Sequence, residues 1–231
     1  MYDFFYAHAY AVGGLILFVA WLPFYIKRRD LRKEIIFAGL LGLFLSFTNK
    51  LWVPYYWSPD FLFNLMNRVG FSIEDLAFGF FAGGIAAVIY EEVESKKLIK
   101  IERRKGIHLS ALAILVVTYF TLAMIFPEKI LLDWFIAAVM GSIFVSIIRH
   151  DLIKQILVSG VLFALIYFVL FQIFMAIFPG WLQTFYNLNN FWGIFVVGIP
   201  LEEIAFAFST GLLWSVIYEF TMGYKTAKIR K

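Results

Sequence analysis

The chain has 231 residues, of which 62% are hydrophobic and only 16% charged, with a mean hydropathy of +0.83. Soluble domains are about half apolar and a quarter charged, so these proportions exclude an ordinary water-soluble globule, and the length leaves no room for a separate soluble domain. The net charge of +4 and the absence of cysteine bound the chemistry further, excluding disulfides, thiolate metal sites, iron–sulfur clusters and a cysteine nucleophile.

A hydrocarbon core ~30 Å thick needs about 20 apolar residues per helix. In chain order the apolar segments are roughly 4–26, 35–54, 72–91, 108–127, 130–148, 155–178 and 198–222. The expected fold is therefore an all-α polytopic membrane protein with seven transmembrane helices. The first segment is too long for a signal-peptide core and lacks a basic flank, so it reads as a mature helix.

Basic residues cluster in the connections of one side: Lys27, Arg28, Arg29, Arg32 and Lys33; Lys96, Lys97, Lys100, Arg103, Arg104 and Lys105; Arg149 and Lys154; then Lys225, Lys228, Arg230 and Lys231. Only Lys50, Arg68 and Lys129 fall elsewhere. By the positive-inside rule the N-terminus is outside and the C-terminus cytoplasmic, which suits the plasma membrane of a prokaryote. The positive charge is thus a topology signal, with membrane lipids as partners and no nucleic acid.

Residues 74–91 (EDLAFGFFAGGIAAVIYE) and 202–219 (EEIAFAFSTGLLWSVIYE) share Glu74/Glu202, Ala77/Ala205, Phe78/Phe206, Phe80/Phe208, Gly83/Gly211 and the final Val-Ile-Tyr-Glu. Upstream, residues 28–33 echo 149–154, and Gly39 matches Gly160. Segments 1–3 therefore correspond to segments 5–7, with segment 4 inserted between them. The expectation is one transmembrane domain over 1–231 with a 3+1+3 parallel internal repeat: repeat 1 over about 1–95, a linker helix over about 106–128, and repeat 2 over about 129–224. Because the linker reverses direction, the units are related by a pseudo-twofold axis along the membrane normal.

Two acidic pairs, Glu74-Asp75 and Glu202-Glu203, open the third and seventh segments. Carboxylates in a first turn complement the helix dipole, Ser72 and Asp75 have capping-box spacing, and Pro200 fits a first helical position. Two adjacent acids in both copies exceed what a cap requires, and Glu202-Glu203 follows an apolar run, where carboxylates are costly and mark function. The stripes Asp75, Gly79, Gly83 and Glu203, Ala207, Gly211 let helices approach closely. Packing of the third and seventh helices would bring four carboxyls to one cavity. Such neighbours cannot all ionise, so one would hold a proton as general acid beside an ionised base.

Aromatic residues make up 20% of the chain and crowd the outer connections, about 55–71 and 179–197. They read as an interfacial belt, and also as a roof over the acids whose π-faces stabilise a cation. Trp52, Trp57, Trp192, Phe78 and Phe206 are the candidates for substrate contact. His8, His108 and His150 are isolated, so no metal site is expected. Without a glycine-rich nucleotide motif, and without a lysine in the middle of the last helix to hold retinal, no cofactor is expected. Tyr90-Glu91 and Tyr218-Glu219, at the cytoplasmic boundary, read as partners for Arg28 or Arg149.

The segment Gly198-Ile199-Pro200-Leu201-Glu202-Glu203, followed by Phe206 and Phe208, resembles the Pro-x-Glu-Glu/Asp signature of the lycopene cyclase domain family, of the heterodimeric or fused type. Trp57-Ser58-Pro59 resembles that family's outer loop, while Ser72 stands where the family usually has proline. The resemblance implies conversion of linear carotene end groups to β-ionone rings by the four acids Glu74, Asp75, Glu202 and Glu203, with a linear carotenoid or other isoprenoid as substrate. It leaves room for a homodimer. The alternative reading is a proton-coupled small-molecule transporter with pseudo-twofold repeats; an intramembrane protease would need histidine ligands that are badly spaced here.

Overall fold

The computed structural model describes residues 2–101 and 107–228. Its frame is seven helices of 15 to 25 residues: α1 (Ala9–Lys27), α2 (Arg32–Ser46), α3 (Ile73–Val93), α4 (Ser110–Ile125), α5 (Ile130–Ile148), α6 (Ile153–Ile177) and α7 (Leu201–Met222). Five of them, α1, α3, α5, α6 and α7, are long and apolar enough to cross a membrane, so the chain is an all-α integral membrane protein. The other two are shorter than the sequence suggests. Helix α2 ends at Ser46 rather than near residue 54, because the chain breaks into turns through Asn49–Leu51 before Pro54. Helix α4 stops at Ile125, just before Pro127, since the residue preceding a proline is pushed out of the helical region.

Lipid and protein faces separate by helical spacing. On α6, Leu157, Val161, Leu165, Val169 and Ile173 are exposed, whereas Gln155, Ser159, Gly160, Phe163 and Tyr167 are buried. Gln155, Ser159 and Tyr167 thus lie on the inward stripe, as an apolar solvent demands, while half-buried Gln172 near the outer end donates to the Val197 carbonyl at 2.7 Å.

Helices α3 and α7 form the centre. They pack on one another, α2 lies along α3, and α6 lies along α7. Glycines set how close these pairs come. A Cβ on Gly79 would fall 2.2 Å from Ser46 Oγ and 2.5 Å from the Gly42 carbonyl oxygen, and one on Gly211 would meet the Ser159 carbonyl at 2.7 Å. The small-residue stripes therefore serve the α2–α3 and α6–α7 contacts. We expect Gly79→Ala to force α2 from α3 and lower stability by about 1–3 kcal/mol, the usual cost of overpacking, read by thermal unfolding in detergent.

The two ends of the bundle are tied differently. At the basic end, strand β1 (Lys96–Lys100) pairs antiparallel with β4 (Tyr224–Lys228), with Leu98 opposite Thr226. Arg28 binds Asp30 at 2.9 Å, Glu92 at 3.2 Å and the Lys96 carbonyl; Arg149 binds Asp151 at 2.7 Å and the Tyr224 carbonyl at 3.0 Å. The Arg28 guanidinium holds the Asp30 carboxyl below the usual carboxylate range. The expected pairing of these arginines with Glu91 and Glu219 is not what forms. Those two carboxylates instead accept hydrogen bonds from the Gln155 side-chain amide, at 2.9 and 2.6 Å, and fully buried Glu34 faces them. The arginines sit next to nearer acids, Asp30 and Asp151, which are themselves exposed, while Glu91 and Glu219 are fully buried among the helices. Arg103, Arg104 and Lys105 of the basic connection, and Arg230 and Lys231 of the tail, lie outside the described residues.

At the opposite end the two long connections lie against each other. Ser58 N–H donates to the Phe185 carbonyl at 2.8 Å, and Asn187 N–H to the Tyr56 carbonyl at 2.9 Å. A two-residue turn at Val197-Gly198, both at positive φ, joins β2 (Phe195–Val196) to β3 (Ile199–Pro200) and delivers the chain into α7. Pro200 is the N-cap of α7 rather than its first helical residue.

Candidate active site

The first acid of each pair is a clamp on the connection before it. Glu74 accepts the Leu62 backbone N–H at 2.7 Å, and Glu202 accepts the Trp192 backbone N–H. Both side chains are buried. A first-turn carboxylate pointing back along its helix reaches the segment just left, and here it satisfies an amide that would otherwise stay unpaired.

The second acid of each pair turns inward, one helical step (about 100°) around the axis. Asp75 accepts the Tyr10 hydroxyl at 2.6 Å and the Ser72 hydroxyl at 2.7 Å, while Ser72 caps α3 by accepting the Asp75 N–H at 3.0 Å. Glu203 accepts two tyrosine hydroxyls, Tyr56 on one oxygen and Tyr167 on the other at 2.8 Å. Each inward acid thus has a tyrosine from a distant helix, Tyr10 of α1 or Tyr167 of α6.

Of the four carboxyls only Glu203 lines the large central cavity, which holds about 780 Å³ of empty space. Asp75 reaches it indirectly, through the ring of Tyr10 in its wall. The expected meeting of all four acids at one cavity is therefore reduced to one direct and one relayed carboxyl, because the other two are turned to loop amides. Four of the five aromatic candidates, Trp52, Trp57, Phe78 and Phe206, line the cavity. Trp192 does not: it is 46% exposed, beside a smaller pocket that it shares with Glu202. Its backbone N–H, and not its ring, is what meets Glu202.

Rings from both outer connections close the top. Tyr56 contacts Trp52, Tyr186 and Phe191, with centroids 5.0 to 5.6 Å apart, and Trp57 contacts Trp181 and Tyr186 at 5.9 and 5.8 Å. Burial in this cluster pushes the Tyr186 hydroxyl well above the usual phenol range. A carboxyl in such a chamber can exchange a proton with an apolar molecule while π-faces stabilise the positive charge that results.

Residues 128–221 match the family model for lycopene cyclase. The lycopene cyclase match begins just before α5 and ends one residue short of the end of α7, so it includes Tyr167, Glu202, Glu203 and Phe206. Glu74, Asp75 and Tyr10 stand outside it. No curated protein and no solved structure matches this chain.

Sequence reasoning singled out the four acids but not the tyrosines that contact the two inner ones. Tyr167 carried a signal: it is the one hydroxyl in the apolar run 160–171, on the spacing of Gly160 and Phe163. Tyr10 has the same standing on α1, on the buried row with Gly14, Leu17 and Trp21.

Proposed function

We propose that the chain is a membrane cyclase that closes the acyclic end group of a linear carotene into a β-ionone ring. The observation that carries this reading is a single carboxyl, Glu203, in the wall of a chamber lined mainly by aromatic and apolar side chains, with Ser46, Thr48, Asn49 and Thr210 as its uncharged polar members. The lycopene cyclase match over 128–221 supports the same chemistry. Glu203 gives its proton to the terminal C=C bond, leaving a tertiary carbocation. The internal C=C bond attacks that carbon and forms the ring C–C bond. The Tyr10–Asp75 pair then accepts a proton from the neighbouring carbon, which restores a double bond. Atoms and electrons balance, the product is an isomer of the substrate, and neither oxidant nor reductant is consumed. Trp52, Trp57, Phe78 and Phe206 shield the cation from water and face it with π-density. Glu74 and Glu202 hold the roof segments in place.

The same proposal takes the chain to cross the membrane seven times as two three-helix units around α4, with the basic end cytoplasmic. Several paired features support the twofold relation. Helices α1 and α5 have 19 residues each. Leu98 pairs with Thr226, its own counterpart. Arg28 on the Lys96 carbonyl repeats as Arg149 on the Tyr224 carbonyl. Glu74 on the Leu62 N–H repeats as Glu202 on the Trp192 N–H.

Expression in bacteria engineered to accumulate lycopene tests the function. The expected result is conversion to carotenes bearing one or two rings. Unchanged lycopene beside well-accumulated membrane protein would sink the proposal. The second reading, a proton-coupled transporter, draws on the buried carboxyls Glu34, Glu91 and Glu219 at the basic end. It expects unchanged pigment together with proton flux across vesicles holding the purified chain.

A further inference from the structure

The chamber at Glu203 has a neighbour. A second cavity, with about 500 Å³ of empty space, lies between α1 and α6. Two ring pairs belong to the walls of both: Tyr10 with Trp57, centroids 4.5 Å apart, and Phe78 with Tyr167, 6.4 Å apart. They form the neck between the two spaces. Beyond the neck the lining is aliphatic and aromatic, and the two tyrosine hydroxyls are already engaged by Asp75 and Glu203. Half-buried Ile16 and Leu170 stand at the edge. Their chain neighbours Leu15 (58% exposed) and Val169 (55% exposed) belong to the outward rows of α1 and α6. The cavity thus opens toward lipid.

A comparison between the two units explains why there is an opening on this side. The alignment that sets Arg28 on Arg149 sets Gly13 of α1 on Trp134 of α5 without a gap. Trp134 is buried and fills the wall of the central chamber. Gly13 carries no side chain to do the same, and the space beside it is bounded by the Phe174 ring, which a Cβ there would touch at 3.4 Å. One unit has a plug where the other has a door.

We propose that the second cavity seats the chain of a linear polyisoprenoid, which enters sideways from the bilayer between α1 and α6 and passes its end group through the neck to Glu203. The proposal rests on the cyclase reading and adds to it the seat of the chain and its route of entry. A plain hydrocarbon polyene suits the door. A chain bearing hydroxyl or sugar groups would bury them there without partners.

The test uses the full chain in bacteria that make a linear carotene. Gly13→Trp, which copies the plug of the other unit, should lower cyclised product at least tenfold at equal protein in the membrane. Adding Phe174→Ala should restore a large part of it by reopening the gap. Wild-type conversion by Gly13→Trp overturns the proposal, as does a loss that Phe174→Ala leaves unrelieved in a protein of normal thermal stability. Should Gly13→Trp fail to accumulate, Ile16→Trp is judged by the same criteria. If the wild-type chain itself makes no rings, the cyclase reading falls separately. The seat is then judged by the linear carotene that purified protein retains, expected for wild type and lost in Gly13→Trp. Retention of phospholipid acyl chains with no carotene would overturn it.

Discussion

Glu203→Gln should cut ring formation by about 10²- to 10⁴-fold, the usual worth of a positioned acid or base, while the protein still accumulates in the membrane. The amide has nearly the same shape, and its carbonyl oxygen can still accept a tyrosine hydroxyl from Tyr56 or Tyr167. What it lacks is a transferable proton. The loss therefore falls on the chemical step, and chromatography of the pigments should show uncyclised carotene still associated with the protein. Asp75→Asn should cost less, since Asp75 acts through the Tyr10 hydroxyl. Glu74→Gln and Glu202→Gln should leave most of the activity, because an amide oxygen accepts the Leu62 or Trp192 N–H much as a carboxylate does. The opposite ordering, with Glu202→Gln inactive and Glu203→Gln active, would overturn the division of each acid pair into an outer clamp and an inner reacting group.

The second large effect lies at the basic end, far from the proposed chemistry. Gln155→Leu should destabilise the fold by about 2–4 kcal/mol, measured by tryptophan fluorescence during denaturation in detergent. The Gln155 amide donates to Glu91, to Glu219 and to the Ser215 carbonyl, in a place with no access to water. Leucine matches it roughly in volume but leaves two buried carboxyls without that donor. Removing one partner of a buried polar group costs the desolvation of what remains, which is why the effect exceeds that of an average core substitution. A Gln155→Leu protein as stable as wild type would mean that the three carboxyls satisfy one another, and that the amide is dispensable.

These two sites differ in how far they could be read in advance. The acid pairs stood out because carboxylates beside an apolar run are rare and appear twice. Their division of labour did not, since adjacent helical residues diverge by about 100° and both outer faces of α3 and α7 are bordered by apolar sequence. The tyrosines that contact the inner acids come from α1, α6 and an outer connection, up to 147 positions away. The Glu91–Gln155–Glu219 group was hidden for another reason. Charges at a helix end next to arginines have a simple solution in sequence, and only the packed helices show that the arginines are already taken by Asp30, Glu92 and Asp151.

By itself the amino-acid sequence determined the solvent, the approximate helix positions, the duplicated motif and the two acid pairs. Those follow from local composition and spacing, because a bilayer requires long apolar runs and penalises every stray charge. Tertiary structure alone decided where α2 stops, that β1 and β4 meet across the basic end, that Trp192 stays outside, and that Glu203 is the one acid in the wall of the chamber. Those outcomes depend on which faces of distant helices meet. Where inner and outer faces are both apolar, hydrophobic periodicity carries no mark of which is which.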